Sequence, residues 1–405
     1  MSSQFLCELE YIKDRNEKIR RSGIRDIFTP HTPISKLNAL KGRTREISSL
    51  YEHLTTPGQH ALLFGERGVG KSSLALTVCS EIVRDYDLRL FRKGCGKGDT
   101  FASIFREPLA HVGIDIYQSR HTNTKSLGIS TCFTAKNDNS QEIIGPSILS
   151  MSPSYVAEKI QHIKGLLLID EFDAIQNNED KYKIAELIKL LSDSNSALKI
   201  VIVGIGDSAV DLTVGHPSLT RCLKEIKLRR LVVADLVSII KSGQLVAKLA
   251  FTRSAMSKIA FVSSGYPYFT HLLALKAAEE AIATEKNIID INDVVEATSK
   301  AIEDSEETLK NMYQDSIRYR NREEYERFLL AASICKEEGF SLSDIADKYF
   351  YLTKEPLNRN ITGTYIHNLV SADGKKILRR LCKGRYRFSD PRMPSFIKIA
   401  KAYMD

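Results

Sequence analysis

The chain has 405 residues, 43% of them hydrophobic and 27% charged, which gives room for two or three domains and excludes global disorder. No apolar run reaches bilayer length, and the opening MSSQFLCELEYIKDRNEKIRR is charged throughout, so neither a membrane span nor a signal peptide is expected and a cytoplasmic location is. Seven scattered cysteines without a C-x-x-C pair, and nine histidines without H-E-x-x-H, argue against a disulfide framework and a zinc site.

Residues 1–40 hold a charged amphipathic stretch and then FTPHTPI, whose prolines imply an extended segment. Helical periodicity begins at residues 42–46 (GRTRE), continues through Ile47, Leu50 and Leu54, and ends at Pro57-Gly58. Residues 60–64 (HALLF) read as a buried strand, 71–85 as a helix, 88–92 as a second strand and 100–112 as a helix. Residues 114–152 are rich in Ser, Thr and Asn without a period, which predicts a long insertion. Beyond it come a helix over 154–163, a strand over 165–169 (GLLLI), a helix over 182–191, a strand over 199–203 (KIVIV), a short helix over 218–223 and a strand over 225–228. Alternating helices and continuous apolar strands predict an α/β fold with a parallel sheet covered on both faces.

After Arg230 the strands are expected to stop. Residues 232–302 read as helices broken at 265–267 and 287–289. An acidic run over 303–307 leads to helices over 323–336, 342–351 (capped by Ser341) and 362–370. A hairpin over 376–381 and 385–388 follows, turning at Lys383-Gly384. Three helices and a hairpin form the winged-helix pattern. The expected organisation is an N-terminal extension (1–40), an α/β core that holds the parallel sheet (41–230), a helical lid (231–310) and a winged-helix domain (311–405). The net charge of +8 is concentrated at the end: residues 375–401 carry ten basic residues against the single acid Asp390. A run of this kind suits contact with the phosphates of double-stranded DNA at Lys375, Lys376, Arg379, Arg380, Lys383, Arg385 and Arg387, or docking within the chain or on a protein.

Gly65-Glu66-Arg67-Gly68-Val69-Gly70-Lys71-Ser72 fits G-x-x-x-x-G-K-[ST] between a strand and a helix. Glycines let such a loop curl so that backbone N–H groups surround phosphate oxygens, and the helix N-terminus adds partial positive charge. Lys71 is assigned to the β- and γ-phosphates and Ser72 to Mg²⁺; the nucleotide contacts extend over Gly65, Glu66, Arg67, Gly68, Val69, Gly70, Lys71, Ser72 and Ser73. The second half is GLLLIDEFD, whose strand ends at Asp170, placed to hold Mg²⁺. Glu171 is placed to orient or deprotonate the attacking water. Asp173 is expected to be structural.

Taken with Gly42-Arg43 and Glu46, these motifs resemble AAA+ ATPases, within them the Orc-like and STAND group, over about residues 28–300. The resemblance implies a P-loop NTPase three-layer sandwich with a five-strand sheet, a helical lid and ATP between sheet edge and lid. It places the adenine beside residues 28–34, a γ-phosphate sensor at Asp207 or Ser208, and an arginine finger acting on a neighbouring subunit at Arg221. Each position also has a plain reading, a turn of small residues or a surface arginine. The lid's second sensor is ordinarily an arginine; here the chain reads Gly265-Tyr266-Pro267-Tyr268, like the STAND G-x-P motif, with Pro267 against the nucleotide or simply opening a helix.

These readings imply an ATP- and Mg²⁺-dependent ATPase, slow and regulated. It would act as a switch that assembles into a homo-oligomer and works on DNA or on a separate effector protein, since no effector signature lies in the chain. The alternative is an ATP-dependent DNA-binding loader or target selector; a nucleotide-binding scaffold is disfavoured by the intact Lys71, Asp170 and Glu171.

Overall fold

Five strands build one sheet, and their burial explains their order. The computed structural model describes residues 3–34, 36–114, 151–206, 208–209, 219, 221–336, 339–371 and 376–401. Asp207, Lys375, nearly all of the expected 114–152 insertion and residues 218 and 220 of the expected 218–223 helix lie outside the described residues, and Leu223 already belongs to a strand. The chain divides into two compact units, each assembled from separate stretches. One comprises Arg45–Gly65 and Ala75–Lys227; the other comprises Met1–Thr44, Glu66–Leu74 and Leu228–Asp405.

The first unit holds the sheet. Its strands are β1 (His60–Gly65), β2 (Arg89–Gly94), β3 (Gly165–Asp170), β4 (Leu198–Ile205) and β5 (Leu223–Leu228), in the order β2-β3-β4-β1-β5. Every residue of β1 and β3 is buried, as a strand covered on both faces requires, whereas the edge strands β2 and β5 each leave some residues exposed. The register is parallel, pairing Leu62 with Ile202, Leu167 with Ile200 and Gly94 with Asp170. Parallel pairing brings Gly65 and Asp170 to the same carboxyl edge. Ile104, Phe105, Val156, Ile184 and Leu187 fill the core beside the strands. The helices Phe101–His111 and Asn178–Asp193 are tied by a bond of 2.9 Å from the Phe101 N–H to Asp180 Oδ1.

The second unit is mainly helical. Val233–Ala247, Arg253–Ser263, Pro267–Ala283 and Ile291–Glu303 pack around Leu236, Ile240, Ile259 and Phe269, all at most lightly exposed. The helix Ser3–Ser22 and the turn after it are fastened by Arg15–Glu280, Lys18–Glu285 and Arg25–Glu279. The buried Phe28 then enters a gap that only glycine leaves, since a Cβ on Gly243 would stand 2.2 Å from its ring. The strands do not stop at Arg230: β6 (Ala250–Phe251) pairs in parallel with β7 (Ile288–Ile289). Two residues per strand are too few to show a period in sequence. Next come helices Glu307–Ile317, Arg322–Ser333, Leu342–Thr353 and Arg359–Leu369, with Ser341 and Asp344 forming a capping box. The strands β8 (Val370–Ser371), β9 (Leu378–Cys382) and β10 (Arg385–Phe388) form a sheet in the order β10-β9-β8, and a last helix, Met393–Lys401, closes the described chain. That helix is buried on most sides and anchored by the buried pair of Lys401 with Glu326.

Each unit contains a buried histidine that accepts a backbone hydrogen bond: His60 Nδ1 from Ile200 N–H at 2.9 Å, and His271 Nδ1 from Thr29 N–H at 3.2 Å. Burial holds both neutral, lowering His60 to about 3 and His271 to about 4 from 6.5. With folded values below the unfolded one, the unfolded chain takes up protons first as pH falls. The stabilisation is therefore complete above about pH 6.5 and is lost on descent toward pH 4. Urea titrations at pH 7.5 and pH 5 are expected to show each unit losing about 2 kcal/mol from its histidine. His271→Gln, which keeps an acceptor for Thr29, flattens that dependence for the second unit; a slope unchanged by the substitution disproves the assignment.

Candidate nucleotide-phosphate site

The glycine-rich loop runs on from β1 into the helix Lys71–Tyr86. Gly68 and Gly70 take φ of 83° and 93°, a region that L side chains avoid, and this lets successive peptides turn one way. Lys71 is nearly buried, and its Nζ donates to the Glu66 carbonyl at 2.7 Å, so the ammonium is folded back over the loop. The loop's own polar groups are met within the second unit. The buried Arg43 donates from Nη2 to the Val69 carbonyl (2.8 Å) and to the Arg229 carbonyl (2.7 Å). Ser73 Oγ accepts from Ile34 N–H at 3.2 Å, which joins the extended segment after Phe28 to the start of the phosphate helix.

Glu66, the one carboxylate of the loop, is held by several donors. Arg230 reaches it through Nε (2.6 Å) and Nη2 (3.3 Å), and the Tyr266 hydroxyl lies 2.7 Å from Oε2. The hydroxyl is also 2.8 Å from the Pro391 carbonyl, and its single proton serves one acceptor at a time. Burial alone would raise the Glu66 carboxyl, but the bonds from Arg230 and Tyr266 and the nearby positive charge hold it below its ordinary value. The Arg230 guanidinium also stacks 4.5 Å over the Tyr266 ring. Gly265, at φ 85°, is required where the chain turns into this contact, because a Cβ there would meet Arg230 Cβ at 2.7 Å. Pro267 then opens its helix, and Tyr268 presents its ring edge-on to His31 at 6.5 Å.

In the first unit Asp170 ends β3 and accepts from the Glu171 N–H through Oδ1 at 2.9 Å, while its carbonyl accepts from Cys95 N–H at 2.9 Å. Glu171 itself adopts φ 55° and ψ 37°, a left-handed conformation uncommon for glutamate, of the kind found concentrated at functional sites. Asp173 binds the Ile205 N–H at 2.7 Å and so fixes the turn after β3 to the end of β4. Ser208 follows β4 at the same carboxyl edge. Arg221 is elsewhere: it precedes β5 at the opposite edge, is exposed, pairs with Asp193 at 2.8 Å and accepts on its carbonyl from Gln59.

Thus the structure brings residues 66–73 together with Arg43, Arg230 and Tyr266 in one unit. Asp170, Glu171 and Ser208 share one sheet edge in the other, and Arg221 lies apart from them. Arg230, Glu306 and Arg392 were not singled out by motif. The available signal for Arg392 was a lone cation between Asp390-Pro391 and the mostly apolar start of the last helix.

Residues 61–230 match the model of the ATPase family associated with various cellular activities (AAA). None of the curated proteins matches the chain. Among solved structures, the Aeropyrum pernix ORC2 protein in ADPNP–ADP complexes is similar at 13% identity, with a TM-score of 0.53 over 94% of this chain and 97% of that one. A Walker-type ATPase of Pyrococcus abyssi is 16% identical (TM-score 0.48, 92% and 99% covered), and the Aeropyrum pernix ORC1 protein in complex with DNA is 15% identical (0.46, 89% and 93%). At these identities the likeness is one of fold: a P-loop α/β architecture with a five-strand parallel sheet.

Gly68→Ala tests the loop geometry. Its φ is unfavourable for alanine, and the added Cβ would stand 3.1 Å from Arg392 Cδ. The expected cost is about 1–3 kcal/mol of stability, read as a lowered midpoint in thermal unfolding. A midpoint equal to that of the parent would mean the loop does not hold this turn.

Proposed function

We propose that the protein is an ATP-binding and ATP-hydrolysing molecular switch of the AAA+ type. The observation that carries this reading is the loop of residues 65–73, turned by Gly68 and Gly70 into the helix that begins at Lys71. Its backbone N–H groups suit phosphate oxygens, and Lys71, released from the Glu66 carbonyl, suits the β- and γ-phosphates. Ser72 and Asp170 are the residues that would hold Mg²⁺, an ion that neutralises charge on the phosphates. Glu171 is the candidate base, supported by its place beyond Asp170 and by its strained backbone. Residues 28–34 suit the adenine side, with Pro267 and Ser208 as further nucleotide contacts. Arg221 lies at the other edge of its sheet, which suits a finger offered to a neighbouring copy in a homo-oligomer. The tyrosine and proline that stand in place of a lid arginine favour a STAND-like switch over a processive motor.

A second reading, an ATP-dependent DNA-binding loader or target selector, is favoured by residues 322–388. Here three helices and the β9–β10 hairpin suit a winged helix. Lys376, Arg380, Lys383 and Arg385 are exposed on or beside the hairpin, with Arg380 over the Tyr386 ring at 5.9 Å. The exposed His367 lies on the adjoining helix, and a 360 Å³ groove runs between it and Arg380. In either reading a separate effector protein is the proposed partner.

Lys71→Ala is expected to abolish ATP binding by calorimetry, and Glu171→Gln to keep binding while turnover falls about 10²–10⁴-fold. Full affinity in the first, or turnover near wild type in the second, refutes the assignment. Reversing Arg380 and Lys383 to Glu is expected to weaken duplex DNA binding, with a loss of about 0.9 from the log–log salt slope for each phosphate contact removed. If the wild-type protein binds no duplex at low salt with ATP or ADP, the DNA reading falls.

A further inference from the structure

The nucleotide reading accounts for the inner face of the phosphate loop; the outer face carries contacts that it leaves unexplained. Arg392 follows the hairpin, and its side chain is only 2% exposed. The guanidinium binds Glu306 through Nη1 to Oε1 (2.5 Å) and Nη2 to Oε2 (3.1 Å), and Asp390 through Nε (3.1 Å) and Nη2 (2.8 Å). Burial opposes the charge, but the two carboxylates outweigh it and hold the guanidinium's pKa above its ordinary value. A buried arginine is tolerated only when its donors are met this fully. Its stem lies against the loop, with Cδ 3.1 Å from where a Cβ on Gly68 would stand. Glu306 also pairs with Arg67 at 3.4 Å, so a loop residue and Arg392 share one counter-ion. One residue earlier, the Pro391 carbonyl accepts from Tyr266 or from Arg230, the two side chains that hold Glu66.

We propose that Arg392 is a positioning residue for the phosphate loop: clamped by Asp390 and Glu306, it sets the turn at Gly68, and through the counter-ion shared with Arg67 it lets the segment after the hairpin tune nucleotide affinity. The last clause rests on the reading of residues 65–73 as the nucleotide site.

Charge alone and positioning predict opposite signs. Neutralising an acid beside an anion site tightens anion binding if only Coulomb energy matters. If Glu306 instead holds Arg392 and Arg67 in place, its loss slackens the loop and weakens binding. The experiment uses the full chain in three forms: wild type, Glu306→Gln and Arg392→Lys, the last keeping the charge while losing the two-pronged fork. Backbone order at residues 68–70 is measured by ¹⁵N relaxation without nucleotide, and ATP affinity by calorimetry. Both variants are expected to lower the order parameters there from the rigid range to below about 0.6, and to weaken ATP binding by about tenfold, the size of one lost charge-assisted bond. Arg67→Gln combined with Glu306→Gln is expected to cost less than the sum of the two. Unchanged order at residues 68–70, or tighter ATP binding in Glu306→Gln, overturns the proposal. Should Arg392→Lys fail to fold, Glu306→Gln decides alone, since that side chain is one-third exposed. If wild-type protein binds no ATP, the nucleotide reading fails by itself, and the order parameters still decide whether Arg392 positions the loop.

Discussion

A loop that offers its N–H groups to a phosphate must have its other polar groups satisfied by someone else. Everything in the helical unit turns on how this is done. The Val69 carbonyl is taken by Arg43, the Glu66 carboxylate by Arg230 and Tyr266, and Ser73 by the backbone of Ile34. An unmet buried group of this kind costs about 1–3 kcal/mol, so each partner is also a constraint on where its own segment can run. The N-terminal segment, the turn after β5 and the start of the Pro267–Ala283 helix are placed by the needs of one short loop.

The same logic redistributes the charge at the end of the chain. Ten basic residues against one acid suggest a uniform cationic face. In the folded unit that run is divided. Arg392 and Lys401 are buried against Glu306, Asp390 and Glu326, while Lys376, Arg380 and Lys383 stay exposed. The number of charges in a sequence window therefore overstates the charge offered to a partner.

What was readable from residues follows from how local each signal is. The strands HALLFG and GLLLID announce themselves because both faces are buried, and the glycine-rich loop because its spacing is a local chemical requirement. The cap at Ser341 is equally local. The β6–β7 pair was not readable: two residues carry no period, and their pairing spans a long interval of chain. Nor were the partners of Glu66 and Gly68, because Arg230, Glu306 and Arg392 meet the loop only after the helical unit has assembled. Composition exposes the motif and conceals its supports.

The helical unit is drawn from three stretches, with residues 66–74 between the beginning of the chain and the long stretch from Leu228 onward. During synthesis the phosphate loop leaves the ribosome long before Arg230, and Arg392 follows later still. Contacts of such large sequence separation are entropically slow to form. Until they do, the loop lacks the carboxylate and guanidinium partners that fix its outer face. Competence of this loop thus waits on the stretches that carry Arg230 and Arg392, and a nascent chain that stops short of them carries the motif without the means to hold its shape.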